Sequence, residues 1–398
     1  MERISVAERR ARLGLRHRLA GSAQAGDPVE AARSMVVLHG TDPATVHLSI
    51  AARVPGSEVA GTERALYDDR TLIRMLGMRR TVFVVPTAFA PVVQAACTDD
   101  IAEKQRKLLV KHLAEAGIAA DAEACAQWLR SVEESTATAL ALRGSATASE
   151  LSADEPRLRS RLVMAPGKSY AAQPYVTSRV LFQLSAEGRI VRGRPLGTWL
   201  SGQHQWSPVE NWLPDGFGDK QPADEARATL ARAWLTSFGP GTVEDLQWWA
   251  GWTLGQTRKA LTTVEAVEVD LDGSTGYVLP GDEAPSPEPE PWVAFLPALD
   301  PTPMGWKDRS WYLGDHKSRM FDTTGNIGPS VWANGRIVGG WSQPESGDVR
   351  YQLLDDVDHE TATAIESEAH RWTQWLAGVR ITPRGRRPSP LEDELSKR

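Results

Sequence analysis

Apolar residues recur at helical spacing over most of the chain, and the stretch 224–280 shows the clearest order of elements. Between Leu230 and Phe238 they mark one buried helix face, and the glycines and proline at 239–241 end that helix. Thr242 is a candidate N-cap for a second helix, and a third helix follows. The end of the stretch alternates apolar and polar residues around a Gly-rich turn, as a β-hairpin does. Helix, helix-turn-helix and hairpin in this order predict a winged helix.

Two further stretches show the same order less regularly. Residues 122–206 predict a long helix, a short capped helix, a third helix and a basic hairpin. Residues 28–90 predict two helices, a third helix over 69–76 and a strand that begins at Met78. The copies share too little sequence identity to be called a sequence repeat, so we predict a shared architecture.

The C-terminal part of the chain is richer in strand patterns. Residues 282–291 are acidic and rich in proline, which is typical of a linker. Residues 328–341 predict two strands joined by an Asn-Gly turn, and a closing helix follows over 360–378. The predicted fold is α+β and begins with three winged-helix modules. The first, with connecting helices, covers 1–121, the second, with a basic wing, covers 122–220, and the third covers 221–281. After the linker at 282–291, a β-rich element with its closing helix covers 292–380, and a disordered tail covers 381–398.

Composition narrows the class of protein. Of the 398 residues 41% are apolar and 15 are Trp, so the chain has ample core material and is not wholly disordered. No run of 18 apolar residues exists, and the charged N-terminus lacks the apolar region of a secretion signal, so we expect a cytoplasmic protein. Cys97 and Cys125 form no CxxC pair, which argues against a disulfide framework and a thiolate zinc site.

Charge is segregated along the chain although the net charge is −6. Residues 265–290 hold eight acids and no base, whereas residues 157–200 hold eight bases and one acid. A basic segment of this kind can attract a polyanion, and the glycines within it let a phosphate approach the backbone. A solvated charged face is the alternative. The candidate DNA-binding residues here are Arg157, Arg159, Arg161, Arg179, Arg189, Arg192 and Arg194, and Lys168 is the eighth base.

Two other basic pairs are candidates for DNA contact. Arg79 and Arg80 would alternate faces on a strand, so one is expected to face DNA while the other is solvated or paired with Asp68 or Asp69. Lys307 and Arg309 stand beside two Trp residues, which are expected to belong to the core rather than to stack on bases.

The segment with the most chemical interest is LHGTDP at 38–43. It places the imidazole of His39, the hydroxyl of Thr41 and the carboxylate of Asp42 within four residues, beside a glycine that permits close backbone approach. Such a group can hold a water molecule and stabilise a developing cation. The alternative is structural, because Asp42 before a proline matches a helix N-cap and His39 would then be a core histidine. His47 is expected to be a packed or solvated helix residue.

The usual enzyme signatures are missing from the sequence. It has no phosphate-binding GxxxxGK[ST] loop, no GxSxG, no HExxH and no GxGxxG, and we expect no metal site.

Four blocks together resemble the AlkZ/YcaQ-type winged-helix DNA glycosylases of bacteria, over roughly residues 5–380. They are VVLHGTDPATVHLSIAAR, LIRMLGMRRTVFVVP, LPALDPTPMGWKDR and GPSVWANGRIVGGW. The resemblance implies three tandem winged helices around a concave basic surface. It also implies hydrolysis of the N-glycosidic bond of alkylated purines, including bulky N7 adducts and crosslinks, without a metal or an organic cofactor. Members serve in genomic repair and in self-resistance to DNA-alkylating antibiotics.

The sequence departs from this family at its catalytic motif. The family's Gln-x-Gln or Gln-x-Asp falls on His39, Gly40 and Thr41, so both Gln positions are replaced. Many relatives also carry a His where this chain has Phe83.

The resulting prediction is a monomeric, monofunctional glycosylase that excises N7-alkylated or bulky purine adducts from duplex DNA. His39 would orient or deprotonate a water molecule, Thr41 would supply a hydrogen bond, and Asp42 would stabilise the cationic sugar. No Lys stands at the motif, so lyase activity is not expected. One alternative is a non-catalytic DNA-binding protein or transcriptional regulator. Another is a protein whose Trp-rich cleft binds an alkylating drug itself.

Overall fold

The structure is a computed structural model that describes residues 1–163, 172–218 and 221–397. Its architecture is a mixed α+β fold, as predicted. Lys168, one of the eight bases of the basic segment, lies outside the described residues. No helix in the part of the chain that the structure describes is long and apolar enough to cross a lipid bilayer.

The N-terminal part combines helices with a three-stranded antiparallel sheet of order β2-β4-β3. Its elements are β1 (Glu2–Arg3), α1 (Val6–Arg16), α2 (Pro28–Ser34), β2 (Leu38–His39), α3 (Pro43–Ala51), α4 (Val59–Glu63), β3 (Leu72–Gly77), β4 (Thr81–Pro86), α5 (Ala90–Val93) and α6 (Asp99–Glu115).

The helix predicted over 69–76 is wrong, because this segment contains strand β3. All six residues of β3 are buried, so both of its faces are covered and its apolar run shows no alternation that would distinguish a strand from a helix. The strand predicted from Met78 is also displaced. Met78–Arg80 form a single-turn helical bend between β3 and β4, with Arg79 and Arg80 at φ 55° and 58°. The two arginines therefore occupy the tip of a hairpin.

The next two stretches follow the predicted order of elements. The first contains α7 (Ala122–Arg143), α8 (Ala148–Asp154), α9 (Thr177–Ala186) and the hairpin of β5 (Ile190–Pro195) and β6 (His204–Pro208). The second contains α10 (Ala223–Phe238), α11 (Val243–Ala250), α12 (Leu254–Thr263) and the hairpin of β7 (Val267–Asp270) and β8 (Thr275–Val278). Thr242 caps α11 as predicted, since its hydroxyl accepts from the Asp245 N–H. Strand β1 pairs in parallel with β7 and so joins the N-terminus to the second hairpin.

The C-terminal part is a four-stranded sheet of order β12-β11-β10-β9 with helices around it. Its elements are β9 (Val293–Leu296), α13 (Ser310–Leu313), α14 (Lys317–Met320), β10 (Ser330–Ala333), β11 (Arg336–Ser342), β12 (Arg350–Leu353), α15 (His359–Leu376) and α16 (Pro390–Ser396).

The tail expected to be disordered carries helix α16 instead. Ser389 and Glu392 form a reciprocal capping box at its first turn. Leu391 and Leu395 lie one helical turn apart and are buried, with 1% and 2% of their surface exposed. A cap and an apolar stripe of this kind are enough to dock a short helix.

Candidate functional site

The predicted motif lies where strand β2 leads into helix α3. His39 pairs with Phe83 of β4, and the two rings meet edge to face at 5.6 Å between centroids. A Cβ atom on Gly40 would lie 3.2 Å from the Val82 carbonyl oxygen, so the glycine lets this bend lie close against β4. The Thr41 N–H donates to Nδ1 of His39 at 3.4 Å. A neutral imidazole that accepts at Nδ1 carries its proton on Nε2.

The surroundings of His39 hold its imidazole neutral. Burial is the larger cause and the positive charge of Arg79 the second, and together they lower the pKa of His39 to about 3. At neutral pH the side chain therefore offers a neutral ring with one N–H donor. Such a ring can orient a water molecule without adding a positive charge to the site.

Asp42 is used as the N-cap of α3. Its Oδ1 accepts from the Ala44 N–H at 3.1 Å, its Oδ2 accepts from the Arg384 N–H at 3.1 Å, and only 2% of the residue is exposed. The hydrogen bonds of Asp42 therefore support its structural role as a helix N-cap. Thr41, by contrast, is exposed, and the C-terminal segment passes so close that a Cβ atom on Gly385 would lie 2.9 Å from its methyl carbon.

Two of the predicted DNA-binding arginines meet on one indole ring near His39. The guanidinium carbons of Arg79 and Arg309 lie 4.1 Å and 4.8 Å from the ring centroid of Trp248 in α11. Desolvation by the surrounding protein, with the charge of Arg309 as the second cause, lowers the pKa of Arg79 to about 10. Among the described residues, neither arginine forms an ion pair with a carboxylate. We call Arg79, Trp248 and Arg309 the arginine–tryptophan cluster.

The sequence identified the two arginines of this cluster but not Trp248. The tryptophan lies in a Trp-Trp pair that matches a packed helix face, so its sequence carries no signal for a surface role. Trp306 and Trp311, next to Lys307 and Arg309, are core residues as expected, with 3% and 6% of their surface exposed.

Arg80 and Arg179 line a second groove, between α6 and α9. The Arg80 guanidinium carbon lies 5.4 Å from the ring centroid of Phe182. Neither arginine has a carboxylate partner among the described residues. The expected pairing of Arg79 or Arg80 with Asp68 or Asp69 does not occur, because those acids pair with Arg194 and Arg64.

The other candidates of the basic segment divide by their partners. Arg157, Arg189 and Arg194 each form an ion pair at 2.7 Å, with Glu155, Glu134 and Asp68 respectively. The rest form no ion pair with a described residue: Arg159 is exposed, Arg161 lies 4.9 Å from the ring centroid of Tyr175, Lys307 is exposed, and Arg192 is partly buried beside Trp206.

The described ranges contain no recognisable metal-binding site. No group of three or more His, Cys, Asp or Glu side chains there is arranged to hold a metal ion. Cys97 and Cys125 are both buried and free.

Comparison with known proteins agrees with the resemblance seen in the sequence. The chain is 27% identical over 164 residues to an interstrand DNA cross-link repair glycosylase of Streptomyces sahachiroi, and this match covers 38% of the chain and 43% of the relative. The solved structure of the Streptomyces sahachiroi DNA glycosylase AlkZ superposes with a TM-score of 0.73 at 20% identity, over 96% of this chain and 99% of that one, which shows a common fold. The sequence profile described as "DNA glycosylase AlkZ-like" matches residues 32–375, and the chain therefore belongs to the AlkZ-like DNA glycosylase family.

Proposed function

We propose that this protein is a DNA glycosylase that hydrolyses the N-glycosidic bond of alkylated purines, especially bulky N7-guanine adducts or crosslinks. The observation that carries the proposal is the neutral imidazole of His39, at a catalytic position of the family motif and within electrostatic reach of the arginine–tryptophan cluster. A cluster of arginines without carboxylate partners beside such a group is suited to a phosphodiester that flanks the damaged base.

Cleavage of this N-glycosidic bond requires little general-acid catalysis. A guanine alkylated at N7 is already cationic, so it departs as a neutral base and leaves an oxocarbenium-like sugar. His39 would donate from Nε2–H to the oxygen of the attacking water, and the exposed Thr41 hydroxyl would accept one of the water's hydrogens. The water oxygen forms the new bond to the sugar carbon, and its surplus proton passes to solvent. Asp42 would act as a positioning residue, because its hydrogen bonds fix the backbone on which His39 and Thr41 stand.

DNA would be bound by cations from several elements. We propose that residues 122–208 and 223–278 act as winged-helix modules, that the motif region forms a third, and that together they present a concave surface as a monomer. Arg79 and Arg309 would contact phosphates at the lesion, while Arg80 and Arg179 would contact them further along the duplex. Arg159, Arg161 and Lys307 are free to add to these contacts, whereas Arg157, Arg189 and Arg194 would first have to leave their carboxylate partners.

The test is excision from defined duplexes. One duplex carries 7-methylguanine and another a bulky N7-guanine adduct, and heat with alkali converts abasic sites into strand breaks. We expect strand breaks with the wild-type protein and an excision rate at least tenfold lower in His39→Ala. The control His359→Ala, at an exposed histidine, should leave the excision rate unchanged. An unchanged rate in His39→Ala would remove His39 from the mechanism. Strand breaks that appear only after heat and alkali, and not in the untreated reaction, would support a monofunctional enzyme.

A non-catalytic DNA-binding protein is the second candidate, and the replacement of both motif Gln residues favours it. This candidate predicts measurable duplex binding with no strand breaks on either substrate, and a preference for a DNA sequence rather than for damage. A role in self-resistance predicts that a sensitive bacterium expressing the protein survives a DNA-alkylating antibiotic that kills cells expressing His39→Ala.

A further inference from the structure

Arg74 of β3 is buried and forms no ion pair in the part of the chain that the structure describes. Only 5% of the residue is exposed, and its Nε–H is fully buried without a hydrogen-bond partner. Within the described residues no hydrogen bond or ion pair reaches its guanidinium. Isolating a guanidinium from water in this way is costly unless an anion or a set of acceptors compensates it.

The other buried arginines of this fold have acidic groups close to their guanidinium groups. Arg12 pairs with Glu8, Arg53 with Asp300, and Arg227 with Asp100. Arg9 lies against an indole ring and within electrostatic reach of three aspartates. Of the buried arginines in the described ranges, only Arg9 and Arg74 have a side chain that forms no ion pair or hydrogen bond. Within the same ranges Arg74 also lacks the aromatic contact that Arg9 makes, which singles out its surroundings as an incomplete site.

The groups around Arg74 are another arginine and two histidines. Arg192 of β5 lies close enough for the two positive charges to repel, and this repulsion is the second cause, after burial, of the lowering of the Arg192 pKa to about 10. His47 of α3 and His204 of β6 also lie within electrostatic reach of Arg74. Each histidine has one ring nitrogen, Nδ1 of His47 and Nε2 of His204, that is buried without a partner.

Two indole rings hold these histidines in place. The His47 ring lies 4.9 Å from Trp199 and the His204 ring 4.9 Å from Trp206, measured between centroids. Burial is the first cause of a lowered pKa at both, to about 3 for His47 and about 4 for His204. Both imidazoles are therefore neutral at neutral pH. His47 can turn its N–H toward a bound anion. In His204 the proton is on Nδ1, which donates to the Gly202 carbonyl at 3.3 Å, so its Nε2 is an acceptor.

We propose that Arg74, Arg192 and His47 form a binding site for one phosphate group. Two guanidinium groups and one imidazole N–H would donate to it, which suits the several oxygens of a phosphate better than the two of a carboxylate. The site is reached from the side of the β5–β6 hairpin, where Arg192 and His204 are partly exposed. The phosphate can come from a DNA phosphodiester or from free phosphate. Such a phosphate site goes beyond the proposed glycosylase activity and does not depend on it.

The first test is thermal unfolding of the full chain in sodium phosphate and in sodium chloride of equal ionic strength at neutral pH. In wild type we expect phosphate to raise Tm by about 2 °C at ten times its Kd. Arg74→Gln should lose this rise, whereas Arg232→Gln, at an exposed arginine of α10, should keep it. Phosphate also stabilises proteins without binding them, but that effect is the same in every variant. If Arg74→Gln does not fold, Arg192→Gln replaces it.

The second test distinguishes a DNA phosphodiester from free phosphate as the ligand, by titrating a fluorescent undamaged duplex. If the site takes a DNA phosphodiester, Arg74→Gln lowers duplex affinity at least fivefold, and inorganic phosphate competes with the duplex in wild type only. If it takes free phosphate, duplex affinity is unchanged while the Tm rise is still lost. Equal responses of wild type and Arg74→Gln in both tests would overturn the proposal. No excision is measured, so this result is independent of the proposed catalysis.

Discussion

Arg53 and Asp300 form a bidentate ion pair in which neither side chain is exposed to solvent. Both N···O distances are 2.8 Å, and Oδ2 of Asp300 also accepts from the Ser49 hydroxyl at 2.7 Å. Arg53 follows α3, the helix that begins at the motif, whereas Asp300 follows β9 of the C-terminal sheet. The pair therefore fixes the motif helix to the C-terminal part, and the LPALDP block of the sequence has a structural role.

Replacing Asp300 with Asn should strongly destabilise the fold, because it leaves the buried Arg53 charge uncompensated. Breaking a buried pair on one side typically costs about 3–5 kcal/mol. We expect a loss of that order in the free energy of unfolding, measured with denaturant. Asp272→Asn is the control, since its pair with Arg3 is exposed and should contribute little. Similar losses in the two variants would contradict this assignment.

The fold was predictable where local signals agreed with each other. In residues 223–278, the Gly-Pro-Gly stop and the Thr242 cap define helix ends without help from tertiary contacts, and the observed elements follow the predicted order. Strand β3 was missed because both of its faces are covered by other parts of the chain, which removes the alternation that identifies a strand. Helix α16 was missed because its capping box and its two leucines lie beside a Pro- and Arg-rich stretch that is typical of disorder.

Several residues of the site were predictable from the sequence, but their arrangement in space was not. The motif and the two arginines of the arginine–tryptophan cluster were visible as residues, but no local pattern links Arg79, Trp248 and Arg309, because they come together only through the fold. The competing roles of Asp42 could not be separated in sequence either. A helix cap and a catalytic carboxylate have the same side chain, and the hydrogen bonds to Ala44 and Arg384, which support the cap, depend on the fold.

Stability should fall as the pH is lowered below about 6.5, because three histidines are held in the neutral form; His17 and His47 are buried and His39 is half-buried. The pKa values of His17, His39 and His47 are each lowered to about 3, with burial as the first cause. The unfolded chain, with histidine pKa values near 6.5, takes up protons first and is favoured as pH falls from about 6.5 toward 3.

Denaturant unfolding at several pH values between 7.5 and 5 measures this effect. For a fully shifted histidine the loss approaches about 1.4 kcal/mol per pH unit below 6.5. His17→Gln should reduce the slope, since His17 is fully buried between Thr302 and the Ser237 carbonyl. A free energy of unfolding that stays constant from pH 6.5 to 5 would show that these histidines are not held neutral.

Asp42 should behave as a capping residue when it is replaced. Asp42→Ala removes both acceptors and should cost about 1–2 kcal/mol of stability, whereas Asp42→Asn keeps one acceptor for the Ala44 N–H and should cost less. For Asp42→Asn, which keeps the bond to the Ala44 N–H, we expect the excision rate per folded molecule to stay within about threefold of wild type. Asp42→Ala should lower the rate further, because the backbone that carries His39 and Thr41 is then no longer fixed by either hydrogen bond. A tenfold loss of excision in Asp42→Asn with stability retained would instead give its charge a catalytic role.

The arginine–tryptophan cluster should supply phosphate contacts that depend on salt. Each contact of this kind contributes about 0.9 to the slope of log affinity against log salt concentration. The double variant Arg79→Ala, Arg309→Ala should therefore bind an undamaged duplex more weakly and with a slope smaller by about 2, as measured by fluorescence titration at several salt concentrations. Arg143→Ala is the matched control, because Arg143 pairs with Asp154 on the surface and should leave the slope unchanged. Equal slopes in the double variant and wild type would mean that the two guanidiniums serve the packing of Trp248 and do not contact DNA.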